Sequence, residues 1–147
     1  MQLLRWIHLV GMVLFIGGGL SAAVVNRMAF EEGADGKSMD WVQWNLGRFS
    51  NGGAILLFVS GVVATVLEGY TLDAFQHQGW LLLMIALGIA ATAFNGIASQ
   101  KARELFEKPP SVPSEVSGIR YVIFQLRIGF LIATLGALST GIWRFTI

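Results

Sequence analysis

The two histidines are the residues whose chemistry fits least well with the apolar character of this chain. His8 lies inside a long apolar run between Arg5 and Ser21, and His77 precedes another run that begins near Gly79. Apolar runs with so few charges are typical of membrane-spanning helices, in which an ionisable side chain marks a candidate functional site. Because imidazole ligates both haem iron and copper, His8 is the first candidate for such chemistry.

The spacing of residues around His8 predicts the direction in which it points. On a helix, the face that carries His8 is made mostly of small residues, with Arg5 at its end: Gly11, Met12, Phe15, Gly18, Gly19 and Ala22. The opposite face is bulky: Trp6, Val10, Val13, Leu20 and Val24. Small residues mark the side on which membrane helices approach one another. We therefore expect His8 to face the interior of a helix bundle.

A second set of polar and small residues follows one face of the third apolar run. This face carries His77, Met84, Gly88, Ala91, Asn95 and Ser99. At a rise of about 1.5 Å per residue, Met84 lies about as deep in the membrane as His8, and His77 lies nearer the surface. A thioether is a common partner of imidazole at haem iron and at copper.

These positions define two candidate ligand sets. The cofactor-binding set is His8, Met84, Met12, Arg5 and Asn95, and the metal set is His8, His77 and Met84. A structural interpretation of each residue stays open beside the functional one. His8 and Asn95 then make hydrogen bonds between helices, Met12 and Met84 pack, and His77 lies in a solvated loop. Arg127, inside the fourth run, is predicted to extend towards the lipid headgroups, and a haem propionate or a lipid phosphate stays open as its partner.

Composition agrees with a membrane protein. Hydrophobic residues make up 54% and charged residues 13% of the 147 residues, against about 25% charged in soluble domains. The absence of cysteine excludes disulfides, thiolate metal sites and cysteine catalysis. A net charge of +1 gives no reason to expect nucleic acid as a partner. The length suits a single domain, residues 1–147.

The hydropathy pattern predicts four membrane spans. They cover about residues 3–25, 53–69, 79–98 and 119–145, and residues 39–50 are expected to form a short interfacial helix. The connections between neighbouring spans are too short for any other than an antiparallel arrangement. We therefore predict an all-α fold, an integral membrane antiparallel four-helix bundle. In the fourth span, Gly129, Ala133, Gly136 and Thr140 form a face suited to close packing.

The distribution of lysine and arginine predicts the orientation of the bundle. Seven basic residues lie in or beside the first and third connections: Arg27, Lys37, Arg48, Lys101, Arg103, Lys108 and Arg120. Only two lie on the other side, Arg5 and Arg144. Basic residues accumulate on the cytoplasmic side of membrane proteins. The first and third loops are therefore predicted to be cytoplasmic, and both termini are predicted to lie outside.

Several short motifs resemble a bacterial membrane superfamily. Arg5-Trp-x-His8, followed by Phe15-x-Gly17-Gly18, looks like the first helix of the copper-resistance D proteins and the four-helix membrane protoporphyrinogen oxidases. Arg48-Phe49-Ser50 leading to Ser60-Gly61, and Gly79-Trp80-Leu81 with Asn95, resemble the second and third helices of the copper-resistance D type. The resemblance implies a four-helix bundle in the inner (plasma) membrane of a bacterium.

The same resemblance implies that His8 stands where the protoporphyrinogen oxidases hold their haem-ligating histidine. The chain departs from those enzymes at other positions. Met84 stands where they carry a lysine, Asn95 where they carry a histidine, and Ala23 and Val24 where they have a Pro-Arg pair. The resemblance therefore implies the scaffold and the inward histidine and gives little support to the oxidase activity.

Three functions remain open from the sequence. The protein binds haem b as a redox or accessory subunit; or it handles copper, with His8, Met12, Met84 and His77 as an entry path; or it is a cofactor-free structural or interaction subunit. Besides the lipid bilayer, the expected partners are other membrane subunits or further copies of the chain. The apolar spans contain no nucleophile–base pair and no paired carboxylates, so nothing predicts hydrolytic catalysis.

Overall fold

The apolar runs form four long helices. The computed structural model describes residues 2–32, 36–67 and 79–143, the last three by their backbone alone. Within these residues the elements are α1 (Gln2–Glu32), α2 (Lys37–Leu67), α3 (Gly79–Glu107) and α4 (Pro113–Trp143). Each contains a stretch that is long and apolar enough to cross a membrane. The predicted all-α four-helix bundle is confirmed, and the chain is a multi-pass membrane protein.

The helices form a ring in chain order. α1 packs against α2 and α4, and α3 packs against α2 and α4. One end of this bundle, which we call the basic end, contains the end of α1, the start of α2, the end of α3 and the start of α4. The opposite end, which we call the histidine end, contains His8 in the first turns of α1 and Ser60 near the end of α2.

Glycines bring the backbones of α1 and α2 into contact. A Cβ atom on Gly18 would lie 2.9 Å from both the Leu46 carbonyl oxygen and the Ser50 nitrogen, and one on Gly53 would lie 2.6 Å from the Gly11 carbonyl oxygen. At this short separation the Ser50 hydroxyl donates a hydrogen bond of 2.7 Å to the Phe15 carbonyl of α1. The small-residue face predicted for α1 is therefore the face that meets α2.

An apolar layer lies near the middle of the bundle. Phe15 and Phe130 meet edge to face, with ring centroids 5.1 Å apart and an interplanar angle of 79°, a preferred geometry for aromatic pairs. The Phe130 ring lies directly over Gly19, where even a single Cβ would overlap it. The layer is completed by small residues of α2, α3 and α4: Ala54, Ala91 and Ala133.

The bounds of α2 differ from the sequence prediction. No separate interfacial helix exists at residues 39–50, because this segment is the first part of a continuous helix that runs from Lys37 to Leu67. Its buried positions continue without a break into the predicted span: Asp40, Gln43, Gly47, Ser50, Gly53, Ala54 and Ser60. From Asp40 to Ser60, one stripe of polar and small residues thus packs against the rest of the bundle, so residues 39–50 belong to the bundle and do not form a separate helix in the interface.

The glycine face of α4 packs closely against α3, as its composition predicts. A Cβ atom would lie 3.3 Å from the Phe94 ring at Gly129 and 3.1 Å from Leu87 Cδ1 at Gly136. Another side of the same helix is also buried, and it carries Ile123 and Arg127. α4 is therefore enclosed on more than one side, and this places charged residues inside the bundle.

Candidate functional site

His8 lies on the side of α1 that meets α2, but it is not enclosed by the bundle. Farther along the same face, Phe15, Gly19 and Ala22 are buried, whereas His8 and its neighbours at the start of α1 are exposed. The side chain therefore lies on the small-residue face that meets α2, but it is exposed and does not lie in the interior of the bundle, where the sequence predicts it. The reason is that close packing of α1 begins only at Gly11, one turn deeper.

A hydrogen-bond relay fixes the imidazole of His8. Its Nδ1 lies 2.8 Å from Oγ of the buried Ser60. The Ser60 hydroxyl donates to the Leu56 carbonyl at 2.5 Å, so its oxygen is free to accept from His8 Nδ1–H. In this neutral tautomer the lone pair belongs to Nε2, the nitrogen that a metal ion binds when Nδ1–H is held by a hydrogen bond.

A groove of about 320 Å³ lies beside this imidazole. It runs between α1 and α2, and its lining is apolar apart from Arg5, His8 and Ser60: Leu4, Leu9, Gly61 and Ala64. An apolar pocket with a few convergent polar groups is the usual form of a small-molecule or cofactor site. Within the described residues, Arg5 makes no hydrogen bond or ion pair, so its guanidinium is available to an anionic group.

The other predicted ligands are not at this groove. Met12 and Met84 are half-buried, and neither is among the residues that line it. Asn95 is fully buried, as its helical face predicts, but it belongs to a different cluster deeper in the bundle. His77 lies outside the described residues. Among residues 2–32, 36–67 and 79–140, no group of three histidine or acidic side chains could hold a metal ion.

The most heavily bonded polar cluster lies at the basic end, and sequence reasoning missed it. The guanidinium of Arg120 donates to both carboxylate oxygens of Asp40, at 2.7 Å and 3.3 Å, and to the Ala29 carbonyl at 2.7 Å. Arg120 and Asp40 are 2% and 1% exposed. The pair joins α4 to α2, and its contact with Ala29 satisfies one of the last carbonyls of α1.

Arg127 lies one layer deeper and is fully buried, at 0% exposure. Its guanidinium donates to the side-chain oxygen of Asn95 through a short contact, and to the Gln43 carbonyl and the Ser99 hydroxyl, both at 3.4 Å. No carboxylate among the described residues pairs with it, and its Nε–H has no partner there. The expected extension to the headgroups is therefore wrong, because polar groups of α2 and α3 receive the side chain inside the bundle.

A continuous chain of polar contacts links these two arginines. Gln43 donates to Asp40 at 2.9 Å, and its carbonyl accepts from Arg127. Beyond Arg127, Asn95 donates to the Gly47 carbonyl at 3.1 Å and to the Asn51 side chain at 2.7 Å. Gly47 has to be glycine here, since a Cβ would overlap the Ser99 hydroxyl and lie 3.2 Å from the Arg127 guanidinium. The chain ends at the apolar layer of Phe15 and Phe130.

A sequence signal for this cluster does exist. Arg120 and Arg127 are seven residues apart and so share a helix face, and Asp40, Gln43 and Gly47 follow helical spacing on α2. Polar stripes on two predicted membrane helices satisfy each other most easily when they face inwards. Their pairing depends on the rotation and register of the helices, which the stripes alone do not determine.

Comparison with known proteins identifies no relative of this chain. No protein-family model matches the chain, and no curated protein and no solved structure is similar enough to match it.

Proposed function

We propose that this membrane protein binds haem b in the groove between α1 and α2, where His8 would ligate the iron. The observation that carries the proposal is the relay from His8 through Ser60 to Leu56. It holds the ring and leaves Nε2 as the free nitrogen beside an apolar groove. Haem bound in such a site supplies one-electron chemistry.

The donor set favours haem over copper. A single proximal histidine is enough to hold haem iron, and the macrocycle is then bound by apolar contact. A copper site of imidazole and thioether needs several converging donors. Of the described residues around the groove, only His8 is such a donor, since neither methionine lines it.

Arg5 is the proposed partner of the haem propionates. It lines the same groove as His8, one helical turn nearer the start of α1. A guanidinium pairs with carboxylates through two parallel hydrogen bonds. Because Arg5 and His8, which line the groove, are exposed, we propose that another membrane subunit or a second copy of the chain covers the bound group, as in an accessory subunit of a larger complex.

The test is the cofactor content of the purified full-length protein. We expect a Soret band that His8→Ala abolishes while the helical circular dichroism stays unchanged. The matched control is Met84→Leu, which keeps an apolar side chain at a position away from the groove and should retain the band. A wild-type protein that stays colourless after reconstitution with haem contradicts the proposal, and copper in its metal analysis would support the alternative.

A second candidate function is that of a cofactor-free structural subunit. The specific observation in its favour is that the hydrogen bond from His8 to Ser60 joins α1 to α2. In this function the imidazole only stabilises the contact between two helices that already touch at Gly11 and Gly53. Absence of both chromophore and copper, together with a small loss of stability in His8→Ala, is the outcome that favours this function.

We also propose a bacterial plasma-membrane location with the basic end in the cytoplasm. The proposal rests on the seven basic residues at that end against the two near the termini. Reporter fusions after Lys37 and after Lys101 should both give cytoplasmic signals. A periplasmic signal from either fusion contradicts this orientation.

A further inference from the structure

Two arginines from different helices converge on one tryptophan at the basic end. The Arg48 guanidinium of α2 lies 5.6 Å, and the Arg103 guanidinium of α3 lies 5.4 Å, from the centre of the Trp44 ring. Both distances are typical of cation–π contacts. The indole itself is held in place, because it packs against the buried cluster of Ala98, Ala102 and Ile123. The cluster of Trp44, Arg48 and Arg103, here called the arginine pair site, is therefore built by the fold.

Both guanidinium groups of this site have free hydrogen-bond donors. Arg48 is exposed and makes no hydrogen bond or ion pair within the described part of the chain. Arg103 uses only its Nε for the 2.8 Å contact with Glu107, and its two terminal nitrogens have no hydrogen-bond partner among the described residues. The side chains of Arg103 and Glu107 are 54% and 42% exposed, so their pair is weak. With Glu107 counted, the site thus has a net positive charge, and both guanidinium groups keep free donors.

The arginine pair site lies where the apolar surface of the bundle ends. On α2 the exposed aromatic Phe49 follows Arg48 directly, and on α3 the exposed Ile97 and Phe94 lie about two turns before Arg103. From these residues towards the histidine end, the exposed surface of both helices is rich in large hydrophobic side chains. The arginines therefore stand at headgroup level, above a surface suited to acyl chains.

We propose that the arginine pair site binds one anionic phospholipid, with its phosphate between Arg48 and Arg103 and its acyl chains along α2 and α3. Guanidinium groups recognise phosphate through paired, charge-assisted hydrogen bonds. The neighbouring contact between Lys37 Nζ and the Phe106 ring, at 5.4 Å, adds a further positive charge to the α2–α3 side of the basic end. Basic pockets between membrane helices bind anionic headgroups in this way.

The test is native mass spectrometry of the full-length protein released from detergent with added lipid. Phosphatidylglycerol should bind more tightly than phosphatidylcholine of the same chain length, by about 10- to 30-fold for two arginines near the membrane surface. In the double variant Arg48→Gln, Arg103→Gln this preference should fall to about twofold or less, since the two charges supply it.

The matched control removes two positive charges from the same end at positions away from Trp44. In the double variant Arg27→Gln, Lys108→Gln, both original side chains are exposed, and the lipid preference should remain as in the wild type. If both double variants lose the preference for phosphatidylglycerol equally, the preference comes from the total positive charge of the basic end, and the proposal is overturned. Displacement of the lipid by millimolar inorganic phosphate would overturn it in favour of a site for soluble anions, and equal binding of both lipids would overturn it outright.

Discussion

The basic end and the histidine end hold their polar residues in opposite ways. At the basic end, Arg120, Asp40 and Arg127 are almost completely buried, and hydrogen bonds from two or more helices fix each of them. At the histidine end, His8 is exposed and has one partner, Ser60. The apolar layer of Phe15 and Phe130 separates the two regions.

The difference indicates that the basic end stabilises the fold and that the histidine end is available to bind a ligand. A buried charge is tolerated only while its partners stay in place, and the partners of these charges come from all four helices. We therefore infer that the basic end fixes the rotation and register of the helices. The histidine end carries no such constraint and leaves one imidazole nitrogen and one guanidinium uncommitted. Stability and ligand chemistry are thus expected to respond to substitutions at different ends.

The largest effect on stability is expected from Asp40→Ala. This change removes the carboxylate that accepts two hydrogen bonds from the buried Arg120 guanidinium. Loss of one partner of a buried ion pair costs about 3–5 kcal/mol. The free energy of unfolding in mixed micelles, measured against SDS fraction, should fall by this amount.

An exposed ion pair at the same end provides the control. Glu107→Ala removes the partner of Arg103 at a solvent-exposed position, so the expected cost is about 0–1 kcal/mol. The double variant Asp40→Ala, Arg120→Met should recover part of the loss, because it removes the unbalanced charge together with its partner. Equal losses for Asp40→Ala and Glu107→Ala would mean that the basic end is not the fixed region of the bundle.

A smaller effect on stability is expected at Arg127, which lies deeper in the bundle than Arg120. Arg127→Met keeps an unbranched apolar stem but leaves the Asn95 side-chain oxygen without its buried donor. The expected cost is about 1–3 kcal/mol. Asn95→Leu should cost a similar amount, and the double variant should cost clearly less than the sum, because the two residues share one contact. Additive losses in the same unfolding assay would contradict the contact between them.

The contact between α1 and α2, which extends from the apolar layer towards both ends, is tested by two neighbouring glycines. A Cβ on Gly53 would meet backbone atoms of α1, with Gly11 O at 2.6 Å, whereas one on Gly52 would meet nothing within 4 Å. Gly53→Ala should therefore destabilise the protein by about 1–3 kcal/mol, a typical cost of overpacking. Gly52→Ala should be neutral or slightly stabilising because alanine favours helix. Similar thermal stability of the two variants in detergent would show that α1 and α2 do not approach so closely.

The sequence predicts the parts of this structure that depend on one helix at a time. Four spans follow from hydropathy, and the exposed Trp6 and Val13 against the buried Phe15 and Ala22 follow from helical periodicity. Asn95 and Ser99 are likewise buried on the predicted face of α3. These features require no knowledge of how one helix is rotated against another.

The features that depend on pairs of helices were predicted less well. The position of Arg127 on its own helix is compatible with a side chain at the lipid surface and with one in the interior. Its contacts with Asn95 and Gln43 on neighbouring helices place it in the interior. The exposure of His8 follows from the point at which α1 and α2 begin to pack at Gly11, which no stripe on a single helix specifies. The pairing of Asp40 with Arg120 joins residues 80 positions apart.

The smallest effect on stability is expected at the histidine end, from Ser60→Ala. This change removes the acceptor of His8 Nδ1–H but leaves an imidazole that water or headgroups can still reach, so the expected loss is about 1 kcal/mol or less. If His8 binds haem, the same variant should retain the Soret band but bind haem about 10- to 100-fold more weakly, because the ligand has lost the group that orients it. His8→Ala should give the same small change in unfolding and no Soret band at all. The unfolding curve and a haem titration, measured on each variant, separate the two roles. A loss of 3 kcal/mol or more in Ser60→Ala, as expected for a buried charge, would mean that the histidine end is held as firmly as the basic end.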